Sequence, residues 1–406
     1  MSFEDRLEKV STLCNLSEDD KAVLSERGLS NKMADRMIEN VIGTYELPVG
    51  IAMNFRINEK DYIVPMVIEE SSVVAAASYA AKLSRPMGGF YANSTEPIMI
   101  SQIQITGLSD PYNASVKIIE KRDELLNLAN EQDPILVKHG GGAIDMKCRV
   151  LESRYGPYLI VHLLVDCRDA MGANAVNTMA EALAPKLESI TGGRVYLRIL
   201  SNLAQHRLAR ARVVFSRDTL GDETIEGVLQ AYEFARVDPY RCATHNKGIM
   251  NGVISVVNAT GNDSRAIESG AHSFATIGGG YAPLTRWEKT ADGDLAGSIE
   301  IPMAVGIIGG VTSTHPVSKV CMKILDVNSA KELQEVIACV GLAQNFAALR
   351  ALATEGIQKG HMKLHAQNIA IAAGAPEEMV DKVAEEMIKE GKIRADRAKE
   401  LIKKNK

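Results

Sequence analysis

Between residues 98 and 200 the apolar and polar positions follow an orderly pattern. It predicts a strand at 98–106, a helix at 114–130, strands at 146–152 and 158–166, a helix at 175–190 and a strand at 194–200. Arg154-Tyr155-Gly156-Pro157 marks a turn, so the two middle strands form a hairpin. The succession β-α-β-β-α-β is the ferredoxin-like order. Segments on both sides of this unit carry reactive side chains. Residues 97–200 are therefore expected to be inserted, ends close together, into a larger discontinuous domain formed by 1–96 and 201–357. The first 45 residues read as helices, with Ser17 and Asp20 as a capping box and a stop at Gly28, and are expected to act as a docking arm. A long helical stretch starts at Ser329, and the chain breaks at Gly360. The tail, 358–406, is rich in Glu and Lys at helical spacing and is expected to form a small, mobile helical cap. The fold class is α+β.

Composition narrows the class of protein. A chain of 406 residues with 46% hydrophobic and 24% charged positions buries a large core, divides into two or three domains, and is neither disordered nor fibrous. A net charge of -5, with no dense basic stripe before the extreme C-terminus, excludes nucleic acid as a partner. No apolar run is read as reaching the roughly 18 to 20 residues a bilayer requires, and the start MSFEDRLEKV lacks a signal segment. A cytoplasmic protein without a membrane partner is expected. Cys14, Cys148, Cys167, Cys242, Cys321 and Cys339 form no C-x-x-C pair, so neither a zinc site nor a disulfide framework is signalled.

Chemistry gathers at a few motifs, each with a structural reading beside it. Glu69 and Glu70 end an apolar stretch just before an Ala-rich helix. They either complement that helix's N-terminus, or one is partly buried and works as a general acid. His245-Asn246-Lys247-Gly248-Ile249-Met250-Asn251-Gly252 concentrates polar groups between glycines. Lys247 reads either as a solvated loop lysine or as the group that stabilises an oxyanion when hydride adds to a carbonyl. Gly261-Asn262-Asp263 is an Asx-type turn in which Asp263 caps the next helix. Asp169-Ala170-Met171-Gly172-Ala173-Asn174 lies between a strand and a helix, where backbone N–H groups meet phosphate or carboxylate, or where the chain simply turns. It is not G-x-G-x-x-G, so no Rossmann domain is predicted. His361 and His365 share a helical face, but a third ligand is lacking and no metal is expected.

As an ordered set these motifs resemble a known family. Glu39-Asn40-Val41-Ile42-Gly43-Thr44, Val64-Pro65-Met66-Val67-Ile68-Glu69-Glu70, the Asp169 and Lys247 motifs, Gly261-Asn262-Asp263 and Gly360-His361-Met362 occur in the order found in HMG-CoA reductases. The likeness continues to Arg394-Ala395-Asp396-Arg397 and is nearest to the soluble class II enzymes of prokaryotes. It implies a four-electron reduction of 3-hydroxy-3-methylglutaryl-CoA to mevalonate and CoA with two NAD(P)H. One hydride adds, thiolate leaves the hemithioacetal, and a second hydride reduces the bound aldehyde.

The resemblance also implies roles. Glu70 gives a proton to the carbonyl oxygen, Lys247 stabilises the alkoxide, Asp263 sits near both, and His361 protonates the thiolate. Ser72, Asn202, Arg241, Asn251 and Gln344 bind substrate, with Arg241 on its free carboxylate. Asp133, Asp169, Met171, Gly172, Asn174 and Thr178 bind cofactor, Asp169 also serving the substrate. Ser71 stands where relatives can carry proline, so the local turn differs slightly. The large discontinuous domain holds substrate, the inserted unit the cofactor, and a C-terminal flap carries His361. Asp133 matches an acidic position that favours NADH, because a carboxylate accepts from a ribose 2′-hydroxyl and repels a 2′-phosphate. NADPH stays open through Lys138 or Arg149. A homodimer or higher even oligomer with shared active sites is implied, Glu70 and Lys247 coming from different chains. Residues 73–81 and 301–311 suit that interface or a monomer core. Two alternatives remain: catabolic oxidation of mevalonate with NAD and CoA, and a silent CoA-thioester binder.

Overall fold

The computed structural model describes residues 1–26, 28–354 and 357–404, except for the side chains of 357–364. Ten strands are present among them: β1 (Val49–Ile57), β2 (Lys60–Val67), β3 (Phe90–Ser94), β4 (Ile98–Thr106), β5 (Gly142–Leu151), β6 (Tyr158–Asp166), β7 (Arg194–Ser201), β8 (Leu208–Phe215), β9 (Thr285–Lys289) and β10 (Leu295–Pro302). They form a six-stranded sheet, β2-β1-β3-β8-β10-β9, and a four-stranded sheet, β5-β6-β4-β7. In β8 the alternation is plain: Ala211, Val213 and Phe215 are buried while Arg210 and Arg212 point to solvent.

The six-stranded sheet packs its buried face on the helix Ala330–Ala353, which also touches helices Val73–Ser84, Asp222–Val237 and Pro239–Ala259. Glycines permit close approach between the helices Pro239–Ala259 and Ala330–Ala353. A Cβ on Gly252 would lie 2.9 Å from the Val340 carbonyl oxygen, and one on Gly341 would lie 2.8 Å from Val253 Cγ2. By length and composition Ala330–Ala353 is apolar enough to cross a membrane, which corrects the expectation that no such run occurs. Its apolarity answers to packing, since residues from Leu333 to Phe346 are buried almost without interruption inside the protein.

In the four-stranded sheet every pairing is antiparallel. Ile100 pairs with Ser201, which brings the start and end of this stretch side by side. Two findings differ from the expected pattern. The single helix over 114–130 is two, Pro111–Glu120 and Arg122–Asn130, because Lys121 leaves helical geometry (φ -104°, ψ 17°). A short helix, Pro134–Lys138, follows, and β5 starts earlier than expected.

At the N-terminus the Ser17/Asp20 capping box is formed, and its helix ends at Ser25. Val10, Leu16 and Val23 pack on Val320 and Ile324 of the helix Pro316–Leu325, and Lys323 pairs with Asp20 at 2.6 Å. At the other end, helices Ile357–Ala372, Glu377–Lys389 and Ala395–Lys404 share a separate core of Ala366, Val383, Met387, Ala398 and Leu401. The first of them runs through Gly360 instead of breaking there. Of the proposed interface stretches, Val73, Ala77, Ala80, Ala81, Ile301, Met303 and Val305 belong to the core, while Ile308 and Val311 are exposed.

Candidate active site

The 245–252 run, read as a loop between glycines, lies wholly within one helix, Pro239–Ala259, capped by Asp238 and opened by Pro239. Its polar residues divide between faces. His245 and Asn246 are buried. The His245 ring meets Thr285 Oγ1 at 2.8 Å, and Asn345 Oδ1 accepts from Thr285 Oγ1 at 2.9 Å and from Trp287 Nε1 at 2.8 Å. Burial, aided by the charge of Arg241, pushes the His245 ring down to about 3, so it is neutral at physiological pH. Asn246 Nδ2 donates to the Ala282 carbonyl at 3.0 Å, and its Oδ1 accepts from Leu284 N at 3.0 Å. With these two residues anchoring the helix, the next one, Lys247, projects outward.

Lys247 Nζ lies 2.6 Å from Glu70 Oε2, and Asn251 Nδ2 donates to the same oxygen at 3.2 Å. Lys247 and Asn251 are one helical turn apart and so share a face. Glu70 reaches them from the bend between β2 and the helix Val73–Ser84. In that bend Ser72 adopts a left-handed conformation (φ 71°) and gives no side-chain cap to the helix. A non-glycine residue held this way stores strain, a feature that clusters at functional sites. The pair remains open to solvent, with the lysine side chain 60% and the glutamate 41% exposed. The expectation that Glu70 and Lys247 come from different chains is corrected here. They meet within one chain because the lysine-bearing helix packs along β2.

Asp263 has a capping role of its own. It caps the helix Ser264–Phe274, its Oδ1 accepting from Arg265 N at 3.0 Å and Ala266 N at 3.1 Å. Among the described residues no hydrogen bond or ion pair joins Asp263 to Lys247 or Glu70. Gln344 is buried beside Gly252, next to Asn251, and its Oε1 has no hydrogen-bond partner among the described residues. Arg241 is half-buried, and burial lowers its guanidinium from the ordinary arginine range. Asn202 is exposed after β7, with its carbonyl against Gly270. His361 lies in the helix Ile357–Ala372, and its side chain falls outside the described residues.

The 169–174 turn forms a second cluster. Asp169 Oδ1 accepts from Ala330 N at 2.7 Å, fixing the start of the central helix, and its carbonyl accepts from Ile307 N at 2.9 Å. Gly172 (φ 98°) precedes the helix Ala173–Thr191 and gives it no side-chain cap. A Cβ there would collide with Cys167 Sγ, 2.2 Å away. Met171 borders the turn, while Asn174 and Thr178 are exposed on the first turns of the helix. Asp133 caps Pro134–Lys138 through Oδ1 to Leu136 N at 2.9 Å, which leaves its other oxygen free of that bond. Arg168, unnoticed in the sequence, ties the two regions together: its Nε donates to the Gly140 carbonyl at 2.8 Å. Among the described residues no group of three or more His, Cys, Asp or Glu side chains is placed to hold a metal.

A family model for hydroxymethylglutaryl-coenzyme A reductase matches residues 2–366. The 3-hydroxy-3-methylglutaryl-coenzyme A reductase of Archaeoglobus fulgidus is 59% identical over 406 residues, covering 100% of this chain and 93% of that protein. The probable enzyme of Borreliella burgdorferi is 40% identical over 342 residues, 82% of this chain and 77% of its own. Among solved structures, the class II enzyme from Streptococcus pneumoniae bound to NADPH in open conformations superposes with a TM-score of 0.85 at 41% identity, covering 100% of this chain and 99% of that one.

Proposed function

The chain belongs to the hydroxymethylglutaryl-coenzyme A reductase family, and from that premise we infer that it reduces HMG-CoA to mevalonate and CoA with a nicotinamide cofactor. The observation that carries this reading is the Lys247–Glu70 pair at 2.6 Å, joined by Asn251. Each reduction step turns a carbonyl oxygen into an alkoxide. A lysine held beside a glutamate serves that oxygen twice over: Lys247 offers positive charge as it becomes negative, and the pair, with Glu70 in the acid role, delivers the proton. The pair is open before substrate arrives. Seating the glutaryl group over Ser72, Asn251, Gln344 and Arg241 excludes water and strengthens the lysine's effect. His361, on the C-terminal cap, is proposed to protonate the thiolate as the hemithioacetal collapses.

The cofactor supplies hydride. Its proposed site is the 169–174 turn with Asp133, Asn174 and Thr178, and the uncapped first turn of Ala173–Thr191 fits a pyrophosphate. NADH is favoured by the Asp133 carboxylate, although one similar protein is described as bound to NADPH. Equal kcat/KM with the two cofactors would contradict that preference. We assign substrate to 1–96 and 201–357, the cofactor to a ferredoxin-like unit at 97–200, and a flap to 358–406. The strand order β5-β6-β4-β7, the Ile100–Ser201 pairing and the separate core of the last three helices support these units. We also propose a homodimer in which Asp263 reaches the site of the other chain, a reading supported by its bonding to Arg265 and Ala266 and not to the Lys247–Glu70 pair among the described residues of one chain. The same site runs mevalonate oxidation in reverse. A silent thioester binder has no use for the lysine–glutamate pair.

Lys247→Ala and Glu70→Gln test the reading. Turnover is expected to fall by roughly 10²- to 10³-fold. Stability should move by less than about 0.5 kcal/mol, because both side chains are largely solvated. Near-normal turnover in either variant would assign the pair to structure.

A further inference from the structure

Arg207, between β7 and β8, is fully buried and has the largest side chain so enclosed among the described residues. A guanidinium removed from water is costly and is ordinarily matched by a carboxylate. Here its hydrogen bonds go to backbone carbonyls, while the charges of Asp166 and Asp169 act on it from nearby. Nη1 donates to Ala170 at 3.0 Å and to Met171 at 3.2 Å, Nη2 donates to Val305 at 2.5 Å, and Nε has no hydrogen-bond partner among the described residues. Burial lowers the group to about 10, which leaves it charged at neutral pH.

The segment it grips is wedged between two proposed functional turns. A Cβ on Gly306 would lie 2.6 Å from Met171 N and 2.9 Å from the Asp169 carbonyl oxygen. On its other side, Gly306 N donates to Asn262 Oδ1 at 2.8 Å, and Asn262 Nδ2 donates back to the Gly306 carbonyl at 3.1 Å. Asn262 immediately precedes Asp263.

We propose that Arg207 is a positioning residue that clamps the 169–171 turn onto residues 305–306, and through Asn262 fixes the turn carrying Asp263 relative to the bound cofactor. The proposal rests on reading 169–174 as the cofactor turn. Arg207 touches neither substrate nor cofactor. Its planar fork reaches two segments at once, which a lysine's single ammonium does not reproduce.

The test uses the full chain. Arg207→Lys keeps the charge and removes the fork. NADH and NADPH dissociation constants, measured by nucleotide fluorescence, are expected to rise about tenfold or more, because small displacements at a positioned site are amplified. KM for HMG-CoA should change far less, and the amides of Ala170 and Ile307 should exchange hydrogen faster than those of the central helix. Arg207→Met should show the same pattern more strongly if it folds. Unchanged cofactor affinity in Arg207→Lys overturns the proposal, as does uniform loss of affinity for both ligands with exchange quickened throughout the fold. Asn174→Glu separates the underlying reading, since it sets a carboxylate on an exposed first-turn position facing the proposed pyrophosphate. If Asn174→Glu leaves NADH and NADPH binding intact, the cofactor turn itself is misassigned and the clamp proposal falls with it.

Discussion

His245 and Lys247 stand two positions apart on one helix, yet one is sealed in the core and the other is offered to solvent. That contrast has a measurable consequence. The His245 ring has a folded value of about 3 against an ordinary 6.5, so below pH 6.5 the unfolded chain takes a proton that the folded one refuses. The stability contributed is complete above pH 6.5 and is lost as pH falls, by about 1.4 kcal/mol for each unit towards 3. His162, pushed by burial to about 4, adds to the same loss. Urea unfolding at several pH values should therefore show a shallower acid slope for His245→Gln than for the unsubstituted chain. Identical slopes would mean that the ring is not held neutral. Which residues were legible follows the same logic. Asp263 was readable as a cap because Gly-Asn-Asp acts locally. Arg207 was not, because nothing in its neighbourhood, which also holds Arg210 and Arg212, says which arginine the fold encloses.

Among elements, β4 and β6 lie where alternation and the Arg154–Pro157 turn place them, since their pattern is short-range. The helix Pro239–Ala259 was hidden because His245 and Asn246 interrupt its apolar stripe, and their partners, Thr285, Asn345, Ala282 and Leu284, come from distant chain. The two glycines of the motif separate packing from tolerance. A side chain on Gly252 meets the Val340 carbonyl oxygen and Gln344 Cβ, each at 2.9 Å, whereas one on Gly248 meets nothing within 4 Å. Gly252→Val should lose about 1 to 3 kcal/mol through overpacking. It should also lower turnover, because Lys247 and Asn251 ride on that helix. Gly248→Ala should gain about 0.5 to 1 kcal/mol from helix propensity. Thermal melting distinguishes them, and equal effects would contradict the helix crossing described.

At the scale of the whole molecule, the pairing of Glu70 with Lys247 inside one chain and the proposed supply of Asp263 by a second chain make opposite predictions for mixed subunits. Under verified exchange, Glu70→Ala mixed with Lys247→Ala should stay inactive, since neither chain holds an intact pair. Glu70→Ala mixed with Asp263→Ala should recover part of the activity, because one site of the heterodimer draws a whole pair from one chain and an aspartate from the other. Recovery in the first mixture, or none in the second, would contradict the arrangement. The sequence carried the order of motifs and the succession of strands between 98 and 200. How the motifs meet in space depends on helix lengths and on long-range packing, and local pattern does not encode either. The central claim, a two-step reduction at one site, is tested most directly by stoichiometry. With HMG-CoA limiting, absorbance at 340 nm and a thiol titration should record two reduced cofactors consumed and one CoA thiol released for each mevalonate formed. One cofactor per thiol, with free mevaldehyde as the product, would contradict it.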